Sequence, residues 1–145
     1  MADLLALEVV TPERLLVREE VATVQAPAKN GYLGVLPGHA PLLAELGTGF
    51  LYYEGGGGRH YMAVHGGFLE VLQDRVRVLA DAAERAEEID VARAQAARDR
   101  AQKRLANPND PNVDWKRAQK AFERAQVRLQ VAAKAGTASV AASGH

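Results

Sequence analysis

GYLGVLPGHAPLLAELGTG, residues Gly31 to Gly49, decides how the first half of this chain folds. Its glycines open backbone angles closed to other residues, and Pro37 and Pro41 stiffen the chain. Leu33, Val35, Leu42, Leu43 and Leu46 supply apolar anchors. The combination describes a shaped, partly buried loop held between strands.

Outward from it, short leucine-rich and β-branched runs alternate with turn formers. Toward the N-terminus these are Leu5 to Val10, Leu15 to Arg18 and Val21 to Ala26; within the stretch, Tyr32 to Val35 and Leu42 to Leu46. Toward the C-terminus follow Phe50 to Glu54, His60 to Val64, Phe68 to Leu72 and Arg75 to Ala80. Short strands at near-regular spacing predict a sandwich or barrel. The glycine run Gly55 to Gly58 makes a permissive hairpin connection; Arg59 and His60 follow it, so no phosphate-binding G-x-x-x-x-G-K-[ST] is present. Gln73 and Asp74 separate FLEVL from RVRVL, two alternating runs that bury one face and leave Glu70, Arg75 and Arg77 for solvent or a partner.

Near Asp81 the composition shifts to alanine, arginine, glutamate and glutamine. Asp81 with Glu84 has the spacing of an N-terminal cap, and Glu84, Glu87, Glu88 and Asp90 suit the positive end of a helix dipole. Ala94, Ala97, Ala101 and Leu105 then share one helical face. The stretch Asn107, Pro108, Asp110, Pro111 and Asn112 breaks the helix. A second helix is predicted from about Asp114, with Trp115, Ala118, Phe122, Ala125, Leu129 and Ala132 forming a narrow seam. Mostly alanine packing buries little area, so the hairpin is expected to open readily. The fold class is therefore α+β: an N-terminal antiparallel β-sandwich over residues 1–83, a C-terminal antiparallel two-helix hairpin over 84–134, and a disordered tail over 135–145.

The chain has 145 residues, with 18 lysines and arginines against 18 aspartates and glutamates. That balance gives no field to draw it onto nucleic acid or an anionic membrane, and nucleic-acid binding is not expected. The absence of cysteine excludes disulfide frameworks, thiolate metal sites and thiol catalysis. The N-terminus MADLLALEVV has no basic region ahead of a long apolar run, so the chain reads as soluble and unprocessed, reaching a membrane only through a partner. His39, His60, His65 and His145 show no metal-ligand spacing, and serine occurs only at Ser139 and Ser143. Glu8, Glu45, Glu54 and Glu70 read as a solvated strand face. With neither a nucleophile and base nor a cofactor motif, no catalytic residue is assigned, no metal or cofactor is required, and the chain reads as no enzyme.

The helices carry one sharper constellation. Asp90, Arg93 and Arg100 on the first, and Arg117, Arg124 and Arg128 on the second, would converge in a hairpin into guanidinium groups around one carboxylate. Such a cluster suits phosphates or acidic protein segments. Equally, the same residues serve as surface charges stabilising each helix by a few tenths of a kcal/mol per pair.

The spacing G-x-x-G-V-L-P-G-H-A-P-L from Gly31 resembles the signature of the epsilon subunit of F-type proton-translocating ATP synthases of the bacterial type. Gly66-Gly67-Phe68-Leu69-Glu70-Val71, Val78-Leu79-Ala80-Asp81, Ile89-Asp90-Val91-Ala92-Arg93-Ala94 and Asp114-Trp115-Lys116-Arg117-Ala118 follow in that family's order, and the resemblance covers Leu4 to about Lys134. It implies a non-catalytic rotor subunit on the cytoplasmic face of the inner membrane, whose sandwich binds the gamma subunit and the c-ring. The helices of such proteins fold on the sandwich or extend toward the catalytic alpha and beta subunits, restraining ATP hydrolysis.

Residue by residue, the resemblance implies a c-ring or gamma contact at Gly31, Tyr32, Pro37, Gly38 and His39, with Tyr32 standing where family members often carry glutamate. It implies a basic inhibitory face of Lys116, Arg117, Lys120, Arg124 and Arg128. It also implies a regulatory ATP site of Glu84, Ile89, Asp90, Arg93, Ala94, Arg100, Arg124 and Arg128. Two other readings stay open: a small ATP-sensing module, and a free-standing β-sandwich whose helices dimerise it.

Overall fold

The computed structural model describes residues 3–143. Seven strands, β1 (Leu5–Val10), β2 (Leu15–Val21), β3 (Thr23–Ala28), β4 (Gly31–Val35), β5 (Leu42–Gly55), β6 (Gly58–Leu72) and β7 (Arg75–Arg85), are followed by a 3₁₀ turn (Ala86–Glu88) and two helices, α1 (Val91–Leu105) and α2 (Trp115–Ser143). The strands form one hydrogen-bonded sheet in the order β2-β1-β7-β6-β5-β3-β4. Its neighbours pair antiparallel, except that β1 runs parallel to β7, so the antiparallel expectation holds for every pair but that one.

Two long strands let this sheet close over itself. β5 absorbs the runs predicted separately at Leu42 and Phe50, and β6 those at His60 and Phe68. The predicted loop Gly31 to Gly49 accordingly narrows to residues 36–41 between β4 and β5. Glycines permit the continuity. At Gly67, with φ +117°, a Cβ would stand 2.1 Å from the Leu79 carbonyl oxygen, so only a missing side chain lets β6 and β7 approach there. Gly49 is similarly confined, because a Cβ would lie 2.6 Å from both Pro27 Cβ and Tyr32 Oη.

One hydrophobic core fills the interior. Leu5, Leu7, Val9, Val24, Val35, Leu51, Met62, Leu69, Val76 and Val78 come from strands at both ends of the sheet order, which is the signature of a sandwich. Among the described residues, none of either helix belongs to it. Period-2 burial, with Leu5, Leu7 and Val9 of β1 buried and Ala6, Glu8 and Val10 between them more exposed, matches the alternation in the sequence.

The transition to helix lies later than expected. Asp81 and Glu84 belong to β7, paired beside β6, and do not cap a helix. The cap of α1 is Asp90, whose Oδ1 accepts the Arg93 amide at 3.1 Å. Val91, Ala94, Ala97 and Ala101 fit helical spacing from that start, whereas the period-2 pattern of RVRVLADAAER carries the strand through Arg85. Helical backbone also continues past Lys134 to Ser143, beyond the expected start of a disordered tail, whose last two residues lie outside the described ones. No helix among the described residues is long and apolar enough to cross a membrane.

Helix α2 has two working faces. Ala118 and Ala125 are buried, as are Ala94 and Ala101 of α1, and these fill the predicted seam between the packed helices. Val127 and Val131 are buried on another face, against Ala63 of β6. Trp115, assigned to the seam, is 44% exposed because it opens the helix at its far end.

Candidate functional site

The contact between hairpin and sandwich is built from few residues. On β5 and β6 the face turned away from the core carries Phe50, Tyr61 and Ala63, with Phe50 directly opposite Ala63 and Tyr52 opposite Tyr61. Val127 and Val131 of α2 pack on that face, and Ala86 and Ile89 close it at the linker. Lys134 Nζ sits 4.7 Å above the Phe50 ring and 5.8 Å from that of Tyr61, adding cation–π attraction at the rim. Tyr32 stacks on Phe50 at 4.5 Å, and its hydroxyl accepts the Phe50 amide at 3.1 Å.

Beside the apolar patch stands a polar clasp. Glu84 of β7 accepts a hydrogen bond from Arg128 Nε of α2. His65, only 6% exposed, holds Nε2 3.9 Å from Glu84 Oε1, a separation longer than a hydrogen bond, and neither ring nitrogen has a hydrogen-bond partner among the described residues. His65 and Arg128 hold the Glu84 carboxyl at about 2, against burial, which pushes it up. On the neighbouring strand, burial first and the Glu54 carboxylate second push the Tyr52 hydroxyl up to about 12, as does burial at Tyr53.

A second polar knot fixes the linker. Arg14, in the β1–β2 turn, grips Glu88 through both guanidinium nitrogens at 2.7 and 3.0 Å, and Glu88 also accepts the Arg85 amide at 2.9 Å. These donors hold the Glu88 carboxyl below the usual range, the Arg14 bond contributing most. Arg85 itself donates to the Leu16 carbonyl.

Of the residues read as an ATP site, the structure joins Glu84 to Arg128 and places Ile89 in the apolar patch. Asp90 is the cap of α1 and Ala94 is buried in the interhelical seam. The side chains of Arg93, Arg100 and Arg124 are exposed and make no ion pair among the described residues. The expected convergence of guanidinium groups around Asp90 does not form: Asp90 caps α1, and the carboxylate–guanidinium pair among these residues is Glu84 with Arg128. Lys116, Arg117 and Lys120 are exposed along α2 with Arg124, while Arg128 is turned to Glu84.

The residues read as a c-ring or gamma contact separate. Gly31 begins β4 and Tyr32 lies by the hairpin patch. Pro37, Gly38 and His39 sit in the following loop, where the Gly38 amide donates to Asp74 Oδ1 at 2.8 Å and so ties the loop to the β6–β7 turn. His39 Nδ1 lies 2.7 Å from the Ala40 carbonyl oxygen.

Sequence reasoning left Glu70, Arg75 and Arg77 for solvent or a partner but missed the apolar row beside them on the outer face of β6, β7, β1 and β2. Strand register aligns Phe68, Leu79, Val10 and Leu15 in one transverse row, and Phe68, Leu79 and Leu15 are exposed, with Leu43 and Leu72 nearby. The next row is Glu70, Arg77, Glu8 and Arg18, with Arg77 and Arg18 3.6 and 4.0 Å from Glu8. It also missed Val127, Val131, Lys134 and His65 as docking residues; the spacing of Val127, Val131 and Lys134 at four and three was the available signal.

Comparison with known proteins fits both halves. Residues 4–86 match the family of the ATP synthase Delta/Epsilon chain beta-sandwich domain, and residues 87–133 that of its long alpha-helix domain. An ATP synthase epsilon chain of Solibacter usitatus is 66% identical over 108 residues, 74% of this chain and 81% of that one. One of Nitratidesulfovibrio vulgaris is 48% identical over 135 residues, 93% of this chain and 100% of its own length. Among solved structures, a chain in the Euglena gracilis mitochondrial ATP synthase OSCP/F1/c-ring assembly superposes with TM-score 0.76 at 26% identity, covering 92% of this chain and 81% of that one. A chain of the Tetrahymena thermophila central stalk and c-ring, with TM-score 0.53 at 14% identity, shares the fold over 90% of this chain and 95% of its own. A sandwich and a helix pair, each matched over its own span and in this order, mean that the chain belongs to the ATP synthase delta/epsilon chain family.

Proposed function

We propose that the chain works as a non-catalytic subunit of the central stalk in a rotary ATP synthase, coupling proton flow through the c-ring to ATP synthesis and restraining ATP hydrolysis with its helices. The observation that carries this reading is the division of labour in the fold. The sandwich has a complete core without the helices, and the hairpin rests on it through one small apolar patch and the Glu84–Arg128 pair. A rotor part must be rigid, and a brake must be able to leave its rest.

The sandwich offers the docking surface. The apolar row Phe68, Leu79, Val10 and Leu15 beside a charged row suits burial against the gamma subunit, and the loop at Pro37, Gly38 and His39 suits the c-ring. Released from the sheet, Lys116, Arg117, Lys120, Arg124 and Arg128 present a basic face to acidic segments of the catalytic alpha and beta subunits. Through these partners the chain sits peripherally on the cytoplasmic face of the inner membrane.

The test compares ATP hydrolysis by the complex holding the full chain with one holding a chain cut after Ile89, a cut that preserves β7 and the linker knot. A rise in hydrolysis with coupling retained is expected. Unchanged hydrolysis defeats the restraining role.

A second reading is ATP as a regulatory ligand of the folded hairpin. Arg93, Arg100 and Arg124 favour it, since guanidinium groups without carboxylate partners suit a polyphosphate. Calorimetry with ATP on the full chain and on Arg93→Ala/Arg124→Ala decides it, and equal heats exclude the site.

A further inference from the structure

We infer that the hairpin swings about Ile89 and Asp90, and that the Arg14–Glu88 clasp sets this pivot by keeping the 3₁₀ turn on the sandwich when the helices leave. The inference rests on the proposed departure of the hairpin and goes beyond it by naming where the chain bends and what holds the near side.

The two sides of the pivot are fastened to different bodies. On the near side, Glu88 takes two charge-assisted bonds from Arg14 at 2.7 and 3.0 Å and one from the Arg85 amide at 2.9 Å. Arg14 lies 74 residues away in sequence, in the turn between β1 and β2, so this clasp ties the linker to the β1–β2 edge of the sheet, beside β7 in the strand order. Arg85 donates to the Leu16 carbonyl in the same region. A bidentate guanidinium–carboxylate pair fixes orientation as well as distance.

On the far side, α1 is satisfied by its own cap. Asp90 Oδ1 accepts the Arg93 amide, and the Asp90 carbonyl accepts the Ala94 amide at 3.0 Å. α1 packs against α2, and the hairpin meets the sandwich through α2. The first turn of α1 is therefore capped from within the hairpin, with no hydrogen bond to the sheet among those of its cap.

Between these bodies stand two extended residues. Ile89 has φ −78° and ψ 122°, and Asp90 φ −82° and ψ 101°. One backbone hydrogen bond crosses from Ile89 to the turn, its amide reaching the Ala86 carbonyl at 3.2 Å. The Ile89 side chain fills the same patch as Val127 and Val131, so undocking α2 also loosens the side chain that holds the pivot closed. Rotation about Ile89 φ and ψ and Asp90 φ breaks neither the clasp nor the α1 cap, whereas turning Asp90 ψ would pull its carboxylate off the Arg93 amide and a bend at Arg85 or Glu88 would break the clasp.

The absence of cysteine permits clean spin labelling of the full chain. One pair, Ala22→Cys with Ala96→Cys, reads the separation of sandwich from α1. Another, Ala22→Cys with Glu87→Cys, reads the separation of sandwich from the 3₁₀ turn. Val131→Asp, or independently Arg128→Ala, releases the hairpin. The expected result is a shift of the first distance to longer values with the second unchanged, and broadening of the second only when Arg14→Ala is added. If the second distance shifts together with the first while Arg14 is intact, the pivot is wrong although the hairpin moves. If the first distance stays fixed in both release variants, the hairpin does not leave, and both the pivot and the departure it rests on fall.

Discussion

At Gly67 a missing Cβ is a structural requirement. A methyl group there would meet the Leu79 carbonyl oxygen at 2.1 Å in a backbone region that L residues avoid. Gly67→Ala should therefore cost about 3 kcal/mol or more, the strain of the positive φ adding to the clash. Gly34→Ala, with open space and an ordinary φ, should be close to neutral, and urea unfolding of both variants reads the contrast. Glu84 gives a pH signature. His65 and Arg128 hold its carboxyl at about 2 against an ordinary value of 4.5. A carboxylate depressed in the folded state adds stability above its unfolded value, and that stability is lost as pH falls from about 4.5 toward 2. Because 29% of the Glu84 side chain stays exposed and solvent screens part of the field, the gain is on the order of 1 to 2 kcal/mol. The stability difference between the native chain and Glu84→Gln, measured by urea unfolding across this range, should shrink with acid. The family resemblance grouped Glu84 with Arg128, but the residues alone centred the constellation on Asp90, whose carboxylate caps α1, because Glu84 acquires its partners only once β7 lies beside β6 and under α2.

Among the elements, α2 does the most with the least apolar surface. Its seam toward α1 is alanine, and its face toward the sheet rests on Val127 and Val131. Val131→Ala removes buried methyl groups worth about 1 to 2 kcal/mol, comparable to what docking on so small a patch provides. Amide exchange in α1 and α2 should accelerate together in that variant while exchange in β1 and β7 stays slow; uniform acceleration would mean that the patch belongs to the core. The contrast between elements also explains what the sequence conveys. Alternation and turn chemistry locate every strand of the sandwich, because period-2 burial is written locally. They split β5 and β6 in two, because a glycine that ends one strand and a glycine that bends another look alike until register is known. The helix seam at Ala118 and Ala125 is visible from spacing alone, but the second face at Val127 and Val131 has meaning only against Phe50, Tyr61 and Ala63, residues that sequence separates from it by more than a domain boundary.

For the whole molecule, the two halves should differ in autonomy. The sandwich core draws only on strand residues, and the long β5–β6 and β6–β7 ladders close it without help from α1 or α2. The hairpin has no such reserve. Burying the methyl groups of Ala94, Ala101, Ala118 and Ala125 returns about 3 kcal/mol at roughly 0.8 kcal/mol each, set against a backbone ordering cost of about 1 to 2 kcal/mol for every helical residue that intrahelical hydrogen bonds only partly offset. Its order depends on the sheet beneath it. A chain ending at Ile89 should therefore unfold in a single cooperative transition with the near-native urea midpoint of the sandwich, whereas residues 90–136 alone should show little helix by circular dichroism. In the full chain, helical ellipticity should fall before the fluorescence change of Tyr53 environments as urea rises, because the hairpin undocks from a sandwich that is still closed. Coincident transitions would overturn this picture, since they would make the helices part of the fold's cooperative core and leave no independent element to act as a brake.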